Sequence, residues 1–116
     1  MLSYETISTV SELIEQSAVE YGDLAYMQYL KNGKIEEITF TQFSMFCKAT
    51  TAWVKEQSKK KGHKIRVALY GKNNPEYVQL MLGIVCGGGV SIPIDVQADE
   101  DTICAVINKS EADILL

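Results

Sequence analysis

Apolar residues recur at helical spacing first between Thr9 and Gly22. Val10, Leu13, Ile14, Ala18 and Tyr21 fall at positions i, i+3, i+4, i+8 and i+11, which places them on one side of a helix. Thr9-Val-Ser-Glu12 has the form of a capping box ahead of that helix, and Gly22 ends it. The pattern then becomes strand-like. "AYMQYL" and "KIEEIT" flank Asn32-Gly33, the dipeptide that best meets the positive φ angles of a two-residue hairpin turn, so an antiparallel pair is predicted. Thr39-Phe-Thr-Gln42 is a second capping box, with Ile38 placed to staple against Phe43. In the helix that follows, Phe43, Phe46, Cys47, Thr50, Trp53 and Val54 share a face, which reads as core. Trp53, the single tryptophan, is assigned a packing role.

From Ile65 the rhythm changes. "IRVALY" is a short apolar run, Asn74 to Cys86 is a helix apolar on most sides, and "VSIPI" from Val90 is a strand. Asp99 to Asn108 is a capped helix and "DILL" a last strand. Strand, helix, strand, helix, strand with short connections is the pattern of a parallel sheet with right-handed crossovers. The predicted fold class is therefore α/β: an N-terminal helix and β-hairpin, then a βαβαβ parallel-sheet unit. Residues 1–64 form the helix, hairpin and helix, and residues 65–116 the βαβαβ unit, the two treated as one structural unit because neither buries enough alone. The pattern stops inside an apolar strand with no closing helix, so a partial domain is expected.

Composition narrows the function classes. With 116 residues and 47% hydrophobic content the chain can build a core. A net charge of −4 gives no footprint for nucleic acid, so "KKKGHK" at Lys59 to Lys64 reads as a solvated loop after a helix, its Lys and Gly also suiting the helix C-terminus. Cys47, Cys86 and Cys104 are odd in number and far apart. They are expected to be small buried hydrophobes in a reducing cytoplasm, forming neither disulfides nor a metal site. No signal peptide is visible at the start, and the glycines and Pro93 interrupt the apolar run from Tyr77 to Ile94, so no transmembrane segment is expected.

Gly87, Gly88 and Gly89 raise the question of a phosphate cradle. Such a cradle leaves a strand and opens a helix, where free backbone N–H groups and the positive end of the dipole lie. Here the order is helix then strand, which makes the glycines a helix terminus. Tyr70-Gly71-Lys72-Asn73-Asn74 has the required strand-to-helix order, but Asn73 or Asn74 as an N-cap accounts for it. His63 is read as solvent-facing. Asp95, just past a strand, reads first as a turn former, with a groove-lining role as the alternative.

Five blocks carry a family resemblance: "ELIEQSAVEYGD", "ITFTQF", "IRVALYGKNNPEYV", "GIVCGGGVSIPID" and "NKSEADILL". In this order they resemble the start of AMP-forming acyl-CoA synthetases, members of the adenylate-forming (AMP-binding) superfamily, and "VCGGGVSIPID" is most similar to bacterial long-chain fatty-acid ligases. The resemblance implies a parent enzyme that uses ATP, magnesium and coenzyme A to convert a carboxylic acid, fatty acids included, to an acyl-adenylate and then a thioester. It also implies that the phosphate loop, the acidic residues for magnesium and ribose, and the C-terminal lysine lie beyond this segment. No catalytic, cofactor-binding or metal residue is therefore assigned to residues 1–116. The segment's partner would be the rest of the parent enzyme, and alone it would be an inactive scaffold prone to self-association. A fragment of an amino-acid-activating adenylation domain, and a self-contained α/β binding or interaction module, remain the alternatives.

Overall fold

The computed structural model describes residues 2–116. Helix α1 (Val10–Tyr21) leads into the hairpin β1 (Ala25–Lys31) and β2 (Lys34–Thr39), followed by the long helix α2 (Phe40–Lys61). Then come β3 (Arg66–Tyr70), α3 (Pro75–Cys86), β4 (Val90–Ile94), α4 (Glu100–Ser110) and β5 (Ile114–Leu115). β1 and β2 are antiparallel around Asn32 (φ 54°) and Gly33 (φ 76°). The other three strands form a parallel sheet in the order β4-β3-β5, with Val67 opposite Ser91 on one side and Ile114 on the other. The predicted α/β class and the separation of hairpin from sheet both hold.

The crossovers run in opposite lateral directions, β3 to β4 and then back past β3 to β5. Right-handed connections therefore put α3 and α4 on opposite faces. On the α3 face, Val54, Ile65, Val67, Leu69 and Ile84 form a fully buried cluster that Trp53, Leu80 and Ile114 pack against. A second cluster, Ile14, Phe43 and Cys47, joins α1 to α2 and carries Tyr26 and Ile38 against it. Tyr26 stacks on Phe43 with ring centroids 4.0 Å apart. The Ile38 staple is thus present, and so is the Thr39/Gln42 box: Gln42 N–H donates to Thr39 Oγ1 and Thr39 N–H to Gln42 Oε1.

Three local expectations need correction, and one is refined at the end of α2. Thr9 Oγ1 accepts from Glu12 N–H, but the Glu12 carboxylate takes the Ser8 N–H and Oγ (2.8 and 3.0 Å) in place of the Thr9 N–H. The box is offset because Ser8 offers two donors where the Thr9 backbone would offer one. Val10 and Leu13 are 38% and 44% exposed, while Ile14 and Ser17 are buried; α2 meets α1 on a narrower stripe than the apolar pattern suggests. Lys59 to Lys61 belong to the last turn of α2, where their charge suits the dipole, and Gly62 closes it. Cys47 is buried and Cys86 half-buried, but Cys104 is exposed, because α4 lies alone on its face and has no buried residue.

Candidate functional site

The glycine run is a Schellman helix stop. Gly89 N–H donates to Ile84 O and Gly88 N–H to Val85 O, both at 3.0 Å, with Gly88 left-handed at φ 80°. Gly87 N–H donates to Gly83 O at 3.1 Å. A Cβ on Gly87 would lie 2.7 Å from Val54 Cβ, and one on Gly89 3.0 Å from Val54 Cγ1. These glycines let α3 close against α2 and the chain enter β4. Their N–H groups are spent on the helix end, and the space over Gly87 and Gly89 is filled by protein.

At the carboxyl end of the sheet lies a cleft of about 280 Å³ between Gly71, Asn73, Tyr77, Pro93, Ile94, Asp95 and Val96. This is where α/β sheets hold ligands, and it contains the α3 N-terminus. That terminus is already occupied. Asn74 Oδ1 accepts the Tyr77 N–H at 2.8 Å, Val78 N–H donates to Asn74 O, and Pro75 has no N–H to offer. The N–H of Glu76 remains beside a carboxylate in the same turn, which opposes an incoming phosphate. Asp95 Oδ1 caps its own turn by accepting Gln97 N–H at 2.9 Å, and Tyr70 Oη donates to Val96 O. Asn74 is therefore a cap, and Asp95 is a turn former that also lines this cleft.

His63 is exposed, as expected, but it also meets a partner that the sequence did not announce. Its Nε2 lies 3.0 and 3.1 Å from the two oxygens of Asp113, and Asp113 Oδ2 also accepts the Arg66 N–H at 2.9 Å. The Arg66 N–H, with a smaller contribution from His63, holds the Asp113 carboxyl below the usual aspartate range. This group joins the end of α2 to the starts of β3 and β5. No sequence-local signal announces it, since the partners are 50 residues apart.

A cleft of about 440 Å³ between α1 and α2 contains Cys47 and Cys86 on its apolar side and Lys48 and Lys55 at its rim. Burial pushes the Cys47 thiol up to about 11, with the nearby Cys86 adding to the effect, so it is a packed hydrophobe and a poor nucleophile at neutral pH. Among the described residues no three His, Cys, Asp or Glu side chains are placed to hold a metal ion, and no helix is long and apolar enough to cross a membrane. The residues present thus do not fit a bound nucleoside triphosphate with its magnesium: the glycine run is a filled helix stop, and the strand-to-helix turn before α3 is capped.

Comparison with known proteins fits this geometry to a family. The AMP-binding enzyme family matches residues 14–116. A long-chain fatty-acid–CoA ligase of Bos taurus is 26% identical over 86 residues, covering 74% of this chain and 12% of the ligase. Among solved structures, a fatty acid AMP ligase from Legionella pneumophila superimposes with a TM-score of 0.81 at 21% identity, over 99% of this chain and 21% of its own. The N-terminal subdomain of NpsA from Klebsiella oxytoca gives 0.76 at 19% identity, over 95% of this chain and 27% of its own. The chain therefore spans about a fifth of the Legionella structure and less of the bovine ligase.

Proposed function

The chain belongs to the AMP-binding enzyme family, and on that premise we propose that it is the opening part of the large domain of an ATP-dependent acyl-CoA ligase acting on fatty acids in the cytoplasm. In that reading the parent enzyme joins a carboxylate to AMP with loss of pyrophosphate, then transfers the acyl group to the thiol of coenzyme A. Residues 1–64 and 65–116 are both scaffold within that domain. The observation that carries the reading is the family match from the first helix to the last strand; the bovine long-chain ligase supports the choice of acid.

No step of the chemistry is given to a residue of this chain. Adenylation depends on donors and a cation converging on the polyphosphate, and the clefts here present a spent helix terminus and self-capped turns. The chain contributes a preformed parallel sheet and the helices that pack on it.

ATP–pyrophosphate exchange is the test. The full-length gene product is expected to exchange label in the presence of long-chain fatty acids and to form their CoA thioesters, while the 116-residue chain alone stays at the no-protein blank. Exchange driven by amino acids, without formation of a coenzyme A thioester, would replace this reading with an adenylation domain that loads a carrier protein. Exchange by the isolated chain would overturn the scaffold assignment.

A further inference from the structure

The cleft of about 440 Å³ between α1 and α2 is built mainly from one side of α2. Ser44, Cys47, Lys48, Thr51 and Lys55 line it at positions i, i+3, i+4, i+7 and i+11, with Ile14 and Glu15 facing them from α1. Half-buried Cys86 of α3 completes the lining. Its level along α2 follows from its neighbours. Thr51 Oγ1 donates to Gly83 O, and a Cβ on Gly87 would lie 3.1 Å from Thr51 O. Cys86 is thus level with Thr51, about midway between Lys48 and Lys55 along the helix.

The polar groups of this cleft are unused by the fold. Lys48, Lys55 and Glu15 make no ion pair among the described residues. Ser44 is only 5% exposed, yet its hydroxyl makes no hydrogen bond among them. No fully buried side-chain oxygen or nitrogen lacks a partner, so this hydroxyl opens onto the cleft, which continues past Lys48 toward Met45. A nearly buried hydroxyl left unpaired costs free energy that a hydrogen-bonding ligand would recover.

We propose that the cleft is a modification site, where Cys86 takes a small peptide-like thiol with a carboxylate at each end, of the glutathione kind, as a mixed disulfide. Lys48 and Lys55 are two turns apart, about 10 Å along the helix, and an extended tripeptide spans about the same length. With a carboxylate at each lysine, the ligand's central thiol comes level with Cys86. Glu15 on the opposite wall matches the ligand's ammonium group, and Ser44 offers a hydrogen bond to its peptide.

Glutathione disulfide is the co-reactant. The Cys86 thiol gives up its proton, and its sulfur attacks one sulfur of the disulfide. The new S–S bond forms as the old one breaks, and one glutathione thiolate leaves with the electron pair and takes up a proton. Cys86 is oxidised and half of the reagent reduced. Cys47 does not compete, because its thiol is buried and pushed up to about 11.

Peptide mapping of the full-length gene product measures the rates at Cys86 and Cys104 with glutathione disulfide and with neutral hydroxyethyl disulfide. The double variant Lys48→Gln, Lys55→Gln changes two exposed side chains. It is expected to slow glutathione transfer to Cys86 at least about fivefold, an effect that added salt also produces. Its rate with the neutral disulfide should change by less than about twofold, and both rates at exposed Cys104 should stay the same, which verifies that the variant is folded. Equal slowing with both reagents overturns the proposal, because the lysines then act on the thiol and not on the ligand. A Cys86 that reacts with neither reagent, or one that ends in an internal disulfide with Cys47 and retains no glutathione, also overturns it.

Discussion

Gly83 on α3 meets Thr50 on α2 so closely that a Cβ added to the glycine would lie 2.6 Å from the threonine Cβ and 2.7 Å from its Cγ2. The contact is helped by Thr51 Oγ1, which donates to Gly83 O at 3.3 Å. Gly83→Ala gains helix propensity, but Cβ against Cβ has no rotamer that relieves it. The helices must separate over the Val54 and Ile84 core. The variant is expected to lose about 1–3 kcal/mol net, measured as a lower urea midpoint with an unchanged slope.

Two helix ends share one hydrogen-bond pattern but differ in the residue at its left-handed position. Gly88 (φ 80°) ends α3, and Glu111 (φ 55°) ends α4, where Ala112 N–H donates to Ile107 O and Glu111 N–H to Asn108 O. A side chain in that conformation costs roughly 1–2 kcal/mol. Gly88→Ala, which has open space around its Cβ, is expected to destabilise by about 1 kcal/mol. Glu111→Gly is expected to be neutral to about 1 kcal/mol stabilising, the exposed Arg66 pair being worth little. Thermal melts of both variants check the opposite signs.

Stability is expected to fall in acid partly through Asp113. Its folded pKa is depressed below 3.8, first by the Arg66 N–H and then by His63. Its contribution is therefore present above the unfolded value and lost as pH drops through the folded one. Asp113→Asn should lower the urea midpoint at neutral pH and flatten its decline below about pH 4. An unchanged pH profile would show that the carboxylate is not part of the acid transition.

The three thiols are expected to react in order of exposure. Cys104 should label first, Cys86 more slowly, and Cys47 only on unfolding, because its thiol is both buried and pushed up to about 11. A time course of alkylation followed by peptide mapping tests the order, and fast modification of native Cys47 would mean that the α1–α2 cluster opens.

Much of this architecture is written in contacts between near neighbours. The Thr39/Gln42 box, the Asn32-Gly33 turn, the Asn74 and Asp99 caps and the helix-then-strand order around Gly87 to Gly89 all arise within a few residues, so the sequence by itself determined the elements, their order and the parallel βαβαβ unit. The same short-range logic excluded a phosphate cradle at the glycines. What the tertiary structure decided depends on partners far apart in the chain. His63 meets Asp113, Gly83 meets Thr50, and Cys104 is left exposed because α4 has the far face of the sheet to itself. Periodicity says that a helix has an apolar side; only the packed fold says how wide a stripe of it another element covers. That is why Val10 and Leu13, apolar and in phase, are exposed.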